Sequence, residues 1–419
     1  MTASTAPATP RRAALAFIFV TVLLDILAMG MIIPVLPKIL EGFLEGSTAR
    51  ASVIYGLFST VYALMQFVFS PVLGALSDRY GRRPVILLSN FGLGLDYILM
   101  ALAPSLSWLF VGRVIAGITA ASISTASAYI ADVTPPEKRA ASFGMIGAAF
   151  GVGFVLGPAL GGVLGKMDLH LPFWVSTGLS LANAMYGLFV LPESLPPERR
   201  KAFDWRRANP VGALRLLRSN REVLGLATVH FLYNLAHVAL PSVFVLYGGY
   251  RFGWDEGAVG LTMAGVGFSS LIVQGALVRP LVKRLGERRA LLLGLSCGLV
   301  GFILYGLAPT GALFLIGIPV MSLWGFFGPA SQAMMSSRIG PSDQGQLQGA
   351  LSSLMGIAGM IGPTIFTQTF AYFIGPRLDW NLPGAPFLLA AGLLVLAIAL
   401  ASRATRPGSE SAATPAPAA

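Results

Sequence analysis

Asp25 and Asp96 are the only acidic residues well inside the long apolar runs of this chain. A charged Asp at the centre of a membrane helix costs at least about 2.5–3.5 kcal/mol on insertion scales. Carboxylates kept there are candidates to take up and release protons, and the proton is the coupling ion expected here, with no other cofactor. The plainer reading is a structural carboxylate satisfied by hydrogen bonds from a neighbouring helix. A second polar set, His230, Asn234 and His237, recurs at i, i+4 and i+7 with Tyr233 beside it. That spacing makes one polar stripe on an otherwise apolar helix, suited to a watery cavity through ligand contact or interhelical hydrogen bonding. Two histidines seven residues apart without a nearby acid make a poor metal site, and none is expected. Gln66, Asn183, Gln274, Gln332 and Gln368 are scattered polar positions of open facing, of which Gln66 and Gln332 join the expected cavity wall.

Arg113 opens the run Gly112-Arg113-Val-Ile-Ala-Gly117. Its long stem suits an interfacial anchor, while the small residues after it suit close helix packing and a polar partner such as a carboxylate. Further on, Gly151, Gly153, Gly157, Pro158, Gly161 and Gly162 fall in one apolar stretch. Glycines let helices approach and the proline removes a backbone hydrogen bond, so this helix combines a contact face with a bend. Between Gly74 and Pro84 the chain reads Gly-Ala-Leu-Ser-Asp-Arg-Tyr-Gly-Arg-Arg-Pro, a cationic loop between two apolar stretches.

The elements that must position these residues follow from composition. The chain has 419 residues, 55% hydrophobic and 11% charged, against roughly 25% charged for a soluble domain. Several apolar runs reach the roughly 20 residues a helix needs to cross the bilayer. An all-α membrane protein of twelve transmembrane helices is expected, with spans near 13–37, 51–76, 84–103, 108–131, 140–165, 172–192, 222–247, 257–281, 290–308, 312–336, 346–372 and 384–402. Arg11 and Arg12 lead directly into the first span without a cleavable-signal pattern. With both termini cytoplasmic, inner loops and tails hold 23 of the 29 Lys and Arg residues, which fixes orientation. The net charge of +11 is therefore a topology signal, and nucleic acid is not an expected partner. The single cysteine, Cys297, can form no internal disulfide.

A constant offset relates the two halves. Gly81 and Gly286, Gly144 and Gly349, and Gly157-Pro158 and Gly362-Pro363 are each 205 apart, and Leu281-Val-Lys-Arg-Leu-Gly-Glu-Arg-Arg289 is a degraded copy of the cationic loop. Two six-helix pseudo-symmetric bundles are expected, 13–192 and 222–402, of the kind that rock about a central site. A cytoplasmic tail (1–12) precedes them and a basic, Pro-containing linker (193–221) joins them. A disordered cytoplasmic tail (403–419) follows. The linker reads as an amphipathic segment on the anionic inner leaflet.

Together these segments resemble the major facilitator superfamily, and within it the tetracycline-exporter branch of proton-coupled drug antiporters. Leu23-Leu24-Asp25 leading to Ile33-Pro34-Val35-Leu36-Pro37 is similar to that branch's first helix. Tyr62-Ala-Leu-Met-Gln66, Ser77-Asp78-Arg79-Tyr80-Gly81-Arg82-Arg83-Pro84 and Leu95-Asp96-Tyr97 are similar to its second and third. Further matches are Arg113 to Thr119, Ala131-Asp132, Arg251-Phe-Gly-Trp254 and Leu347-Gln348-Gly349, and the Gly157-Pro158 helix resembles the antiporter motif. The resemblance implies that Asp78, Arg79, Arg82 and Arg83 belong to a cytoplasmic gate, with Asp132 as a neighbour; Arg113 is counted with the gating residues as a candidate partner of a nearby carboxylate. It also implies that Asp25 and Asp96 handle protons and substrate. One departure stands out: where the tetracycline exporters carry an Asp in helix nine, tied to antiport of a metal–tetracycline chelate, this chain has Gly298, and Ser270 matches a histidine of their helix eight.

The function expected is proton-driven antiport that exports amphipathic organic compounds, tetracycline-like or multidrug, by alternating access across a bacterial cytoplasmic (inner) membrane. The partners are then a small amphipathic molecule, protons and the lipid bilayer, and the protein works as a monomer. An uptake symporter for a sugar or other organic solute is the alternative, and a receptor or scaffold that does not transport is the reading of another class. Enzymatic readings lack a phosphate-binding loop, a nucleophile–base set or a metal cluster.

Overall fold

The structure is a computed structural model, and it describes residues 9–120, 122–135, 138–200, 202, 214, 217, 221–340 and 343–405. The first eight residues, the linker cations Lys201, Arg206, Arg207, Arg215 and Arg218, and the tail from residue 406 lie outside the described residues. Within them every regular element is helical.

Helix α1 (Thr9–Ile32) gives way to a turn at Pro34, which has no N–H to continue the ladder; α2 (Leu36–Phe43) starts there with Pro37 in its first turn. Ser47 caps α3 (Thr48–Tyr80) by accepting from Arg50 N at 3.4 Å. α4 (Arg82–Ala101) begins after the single residue Gly81, whose φ of +108° suits glycine. α5 (Leu106–Thr119), α6 (Ser122–Val133), α7 (Arg139–Met167) and α8 (Leu171–Val190) follow. In the second half, α9 (Arg221–Phe252) is followed by α10 (Glu256–Ile272), a π-helical turn (Val273–Leu277) and α11 (Val278–Leu285). Gly286, at φ +78°, separates α11 from α12 (Glu287–Leu307). Gly81 and Gly286 thus do the same backbone work 205 residues apart. α13 (Gly311–Ser322) passes through a 3₁₀ turn (Leu323–Phe326) into α14 (Phe327–Ser336), and α15 (Gln344–Ile374) and α16 (Ala385–Ala404) end the helical part.

Among the described residues eleven helical stretches are long and apolar enough to cross a membrane, and Leu106–Thr119 is a shorter apolar one. With α5 and α6 taken as the fourth span, this is the twelve-helix architecture expected. The fourth span differs from the single run 108–131 read from sequence. Thr119 Oγ1 donates back to Ile115 O (2.9 Å) and Ala116 O (3.3 Å), and Ala120 after it leaves helical geometry with ψ of 3°. α5 ends at Thr119.

The chain divides into two compact units. The first comprises residues 1–210, 240–269 and 359–383. Its core gathers Phe17, Val22 and Ile26 of α1 with Ile86, Tyr129 and Ile146, all nearly inaccessible, and α1 packs most extensively on α7. The end of this unit remote from Gly81 is held by hydroxyls on backbone carbonyls. Ser52 Oγ donates to Thr367 O (2.9 Å), Tyr55 OH to Pro241 O (3.3 Å) and Thr60 Oγ1 to Met360 O (2.8 Å). Pro363 interrupts the ladder of α15 in this stretch, leaving the carbonyl of Gly359 without its helical donor. The second unit comprises residues 211–239, 270–358 and 384–419. Its centre is α12 packed between α16 and the α13–α14 segment, with Tyr305 stacked on Phe314 at 4.0 Å and Phe387 against both.

At the same remote end of the first unit, Lys166 Nζ lies 2.9 Å from Asp255 Oδ2, both exposed. The Ala258 backbone N–H, and then Lys166, hold the Asp255 carboxyl below the usual aspartate range. A carboxyl lowered by folding stabilises the fold above its ordinary value near ~4. That contribution disappears as pH falls through the lowered value. Lys166→Met is expected to show only a small, salt-sensitive deficit in Tm at neutral pH, because solvent screens so exposed a pair, and the deficit closes as acid protonates Asp255.

Candidate functional site

Asp25 projects from α1 toward α8, with 7% of its surface exposed. Asn183 Nδ2 donates to Asp25 Oδ1 (3.2 Å) and to Thr21 O (3.3 Å), while Thr21 Oγ1 donates to Asn183 Oδ1 (3.1 Å). One buried amide therefore orients the carboxylate and ties two helices together. The facing of Asn183, open in the sequence, is settled by these bonds.

Asp96 has a different environment. It is fully buried on α4 against α5, and neither carboxyl oxygen has a hydrogen-bond partner. Arg113 Nη2 is 4.0 Å away, beyond hydrogen-bond reach. That guanidinium instead lies 3.3 Å from Met100 Sδ and 5.4 Å from the centre of the Tyr62 ring, over which it makes a cation–π contact. Tyr62 OH in turn reaches Met29 Sδ at 4.0 Å. Gly112 is required here: a Cβ at that position would stand 2.8 Å from Asp96 Oδ1. Tyr97 lies within electrostatic range of Asp25, Asp96, Tyr62 and Arg113. An ionised carboxylate with no donor is costly in a buried site, so this geometry suits a protonated Asp96 with Arg113 held in reserve.

The charges around the Gly81 loop form a second cluster. Arg82 Nη1 pairs with Asp78 Oδ1 at 2.6 Å and donates to Ser77 Oγ at 2.6 Å, and Arg82 Nε meets Asp132 Oδ2 at 3.1 Å. Arg83 Nη2 donates to Leu188 O, and Arg79 stays over the ring of Tyr80. The structure therefore joins Asp78, Arg82 and Asp132, and sets Arg79 apart. Arg113, counted with the gating residues and also read as the partner of a carboxylate, lies beside Asp96.

Sequence reasoning missed Glu193. Its carboxylate accepts from the backbone N–H groups of Arg82 (2.8 Å) and Arg83 (3.3 Å), and from Ser194 and Leu195 (both 3.0 Å). It thus caps the N-terminus of α4, where the helix dipole favours an anion. The one signal in the sequence was a lone acid at the end of the sixth span. Glu193→Ala is expected to lower stability by about 1–2 kcal/mol, the cost of a lost N-cap, read as a lower Tm in detergent.

The glycines of α7 build two faces. A Cβ on Gly157 would come within 2.9 Å of Gly30 Cα and Leu27 O, and one on Gly153 within 2.8 Å of Ile26 Cγ2; Gly161 abuts the Met31 backbone. On another side, a Cβ on Gly162 would lie 3.0 Å from Gly260 Cα of α10, and Gly260 abuts the carbonyl of Pro158. Gly153, Gly157 and Gly161 therefore seat α1, and Pro158 and Gly162 seat α10.

In the second unit the polar stripe of α9 lies among aromatic rings. Tyr233 stacks on Phe327 at 4.1 Å and meets Trp324 edge-on at 4.8 Å. His230 lies 5.9 Å from Phe327, and His237, which is exposed, lies 5.3 Å from Trp324. Asn234 Nδ2 turns back to His230 O at 2.8 Å, so its amide serves its own helix. Gln332 is exposed and Gln66 half-buried. Among the described residues no three His, Cys, Asp or Glu side chains cluster as metal ligands.

A buried acid beside an arginine, glycine-seated helices and a twofold sequence repeat are features of a membrane transporter. The chain belongs to the Major Facilitator Superfamily, whose family model matches residues 18–363 and 281–418; these are transporters and not enzymes. It is 39% identical over 388 residues to the class C tetracycline resistance protein of Escherichia coli, covering 92% of this chain and 95% of that one. With the class G tetracycline resistance protein of Vibrio anguillarum it shares 37% over 357 residues, 85% of this chain and 90% of that one. Among solved structures, the human organic anion transporter MFSD10 superposes with a TM-score of 0.69 at 26% identity, covering 94% of this chain and 100% of that one. The chain is a multi-pass membrane protein with this superfamily's fold.

Proposed function

We propose that the protein is a proton-driven antiporter that exports amphipathic organic compounds, tetracycline-like or multidrug, across a bacterial inner membrane with both termini in the cytoplasm. The observation that carries this reading is Asp96, wholly buried and without a hydrogen-bond partner, with Arg113 4.0 Å away. In this state the carboxyl holds its proton. Loss of the proton leaves a carboxylate that Arg113 pairs with by a small movement away from Met100 and Tyr62. Such pairing, made in one state and released in another, biases a two-state equilibrium. Asp25, oriented by Asn183, is the second proton site. Export rather than uptake is supported by the resistance proteins to which the chain is similar.

The moving parts are the bundles 13–192 and 222–402. In this reading the Asp78–Arg82–Asp132 cluster forms the gate on the Gly81 side. Its members exchange partners when the halves move, and Arg79 and Arg83 flank it. The opposite gate is the set of α3 hydroxyls on α9 and α15 carbonyls, with the Gly162–Gly260 contact beside it. The substrate path runs past Gln66 and past His230, His237 and Gln332, and the protein works as a monomer.

Purified protein in proteoliposomes tests this directly. Addition of tetracycline should drive proton movement opposite to the drug, detected with an internal pH dye. Proton movement in the same direction as the drug makes the protein a symporter. Saturable binding without flux makes it a receptor.

A further inference from the structure

The first turns of α9 carry an apolar stripe that opens outward. Leu224, Ala227, Thr228 and Phe231 recur at i, i+3, i+4 and i+7, one face of a helix. With Leu354 of α15 and the buried Leu217 of the linker they line a cleft of about 150 Å³. Leu224 is 42% exposed on it. Thr228 is the only polar residue in this wall, and its Oγ1 donates to Leu224 O of its own helix at 2.8 Å. The cleft therefore offers hydrocarbon contact without an uncommitted donor. A space of this size holds a benzene-sized group or a short run of methylenes. A fused multi-ring compound is too large for it, and would find none of the polar partners that orient a small molecule in its pocket.

Depth along the helix points to the kind of hydrocarbon. α9 starts at Arg221, so Leu224 to Phe231 lie about 4.5–15 Å along its axis at ~1.5 Å per residue. Half of a bilayer's hydrocarbon core is ~15 Å, so the cleft spans the depth of one leaflet's acyl chains.

Charge at the same end of the unit is a separate observation. A Cβ at Gly225 would lie 3.3 Å from Ala404 Cβ, so the start of α9 meets the last turn of α16. That turn carries Arg403, which is exposed, and Thr405 after it accepts from Arg288 Nε at 3.1 Å. α11 ends on Lys283 and Arg284, and Arg289 follows in the first turn of α12, all exposed. The acids of this unit among the described residues are Glu222, Glu287 and Asp343, so positive charge prevails at this end. Cations at a membrane surface attract anionic headgroups.

We propose that the cleft between α9 and α15 seats one acyl chain of an anionic phospholipid, whose phosphate meets Arg403 and its cationic neighbours. The bound chain then fastens the linker, through Leu217, to α15. This needs the helices to lie in a bilayer and is independent of what the protein transports.

The test uses the full chain in dodecylmaltoside, with lipid binding read by native mass spectrometry. Dioleoylphosphatidylglycerol is expected to bind about tenfold more tightly than dioleoylphosphatidylcholine. Glycerol phosphate, the headgroup without chains, should not compete. Thr228→Phe fills the cleft and should weaken both lipids by about fivefold or more, through lost methylene burial. Leu224→Trp gives the same readout should the Thr228 variant not fold. Arg403→Gln should cut the preference for phosphatidylglycerol by about threefold and leave phosphatidylcholine unchanged. Equal affinity for the two lipids, displacement by glycerol phosphate, or unchanged phosphatidylglycerol affinity in both cleft variants overturns the inference. Displacement by tetracycline overturns it too, and makes the cleft part of the substrate path. Proteoliposome flux is scored separately. Selective lipid binding without drug-driven proton movement removes the transport reading and keeps the site, whereas flux without selective lipid binding does the reverse.

Discussion

Asp96→Asn is expected to abolish proton-driven accumulation of drug while leaving Tm and ligand exchange close to wild type. The substitution keeps the shape of a neutral carboxyl in a pocket that gives neither oxygen a donor, so the protonated state is imitated at little cost in folding. What it removes is the ionised state and its attraction for Arg113. Two charges about 4 Å apart interact by about 4 kcal/mol at an effective dielectric near 20, close to a thousandfold in an equilibrium. A loss of about 100- to 1000-fold in pH-gradient-driven transport is therefore expected, with substrate–substrate exchange retained. Full coupling in this variant removes Asp96 from the mechanism and moves the proton to Asp25. The latter already has a donor in Asn183 at 3.2 Å, and Asp25→Asn then becomes the uncoupled variant. A large fall in Tm for Asp96→Asn would show instead that the ionised pair holds the fold.

The difference between the two acids could not be read from the chain. Both appear in the sequence as a lone Asp in an apolar run, and only the approach of α8 to α1, and of α5 to α4, decides which has a partner. Arg113 is similar: its spacing placed it near a span end, and the geometry placed it at Asp96 rather than with Asp78, Arg82 and Asp132. Helices were more legible, because hydrophobic run length is a local property. Their interruptions were partly so. Pro34 marks the end of α1 in plain view, but nothing in the residue types around Thr119 marks the end of α5. The repeat at 205 residues was legible because Gly81 and Gly286 both need a positive φ that other residues resist. Long-range partners were not: Glu193 on the α4 terminus, Lys166 with Asp255, and Trp324 over Gly298 each join positions far apart in sequence. The chain supplies charge and size at those positions but nothing that specifies who meets whom.

The two glycine faces of α7 should respond oppositely to the same substitution. Gly157 meets α1 backbone to backbone, with Gly30 Cα and Leu27 O both 2.9 Å from a Cβ at that position. Neither neighbour is a flexible side chain that can give way. α1 and α7 belong to the same expected bundle and must stay together in every state, so Gly157→Val should destabilise all of them, by about 1–3 kcal/mol or more. Gly162 meets α10, where a Cβ would lie 3.0 Å from Gly260 Cα. In the proposed cycle that contact breaks whenever the end bearing Lys166 and Asp255 opens. Gly162→Val therefore penalises only the closed form. The same 1–3 kcal/mol becomes a shift of about 5- to 150-fold toward opening at that end, with little loss of Tm. Reactivity of a cysteine introduced at Gly257, followed with a membrane-impermeant maleimide, should rise in Gly162→Val and not in Gly157→Val. Equal losses of Tm in both variants, with no gain in labelling for either, would mean that α7 and α10 never separate, and the alternating-access reading of this contact would fail with them.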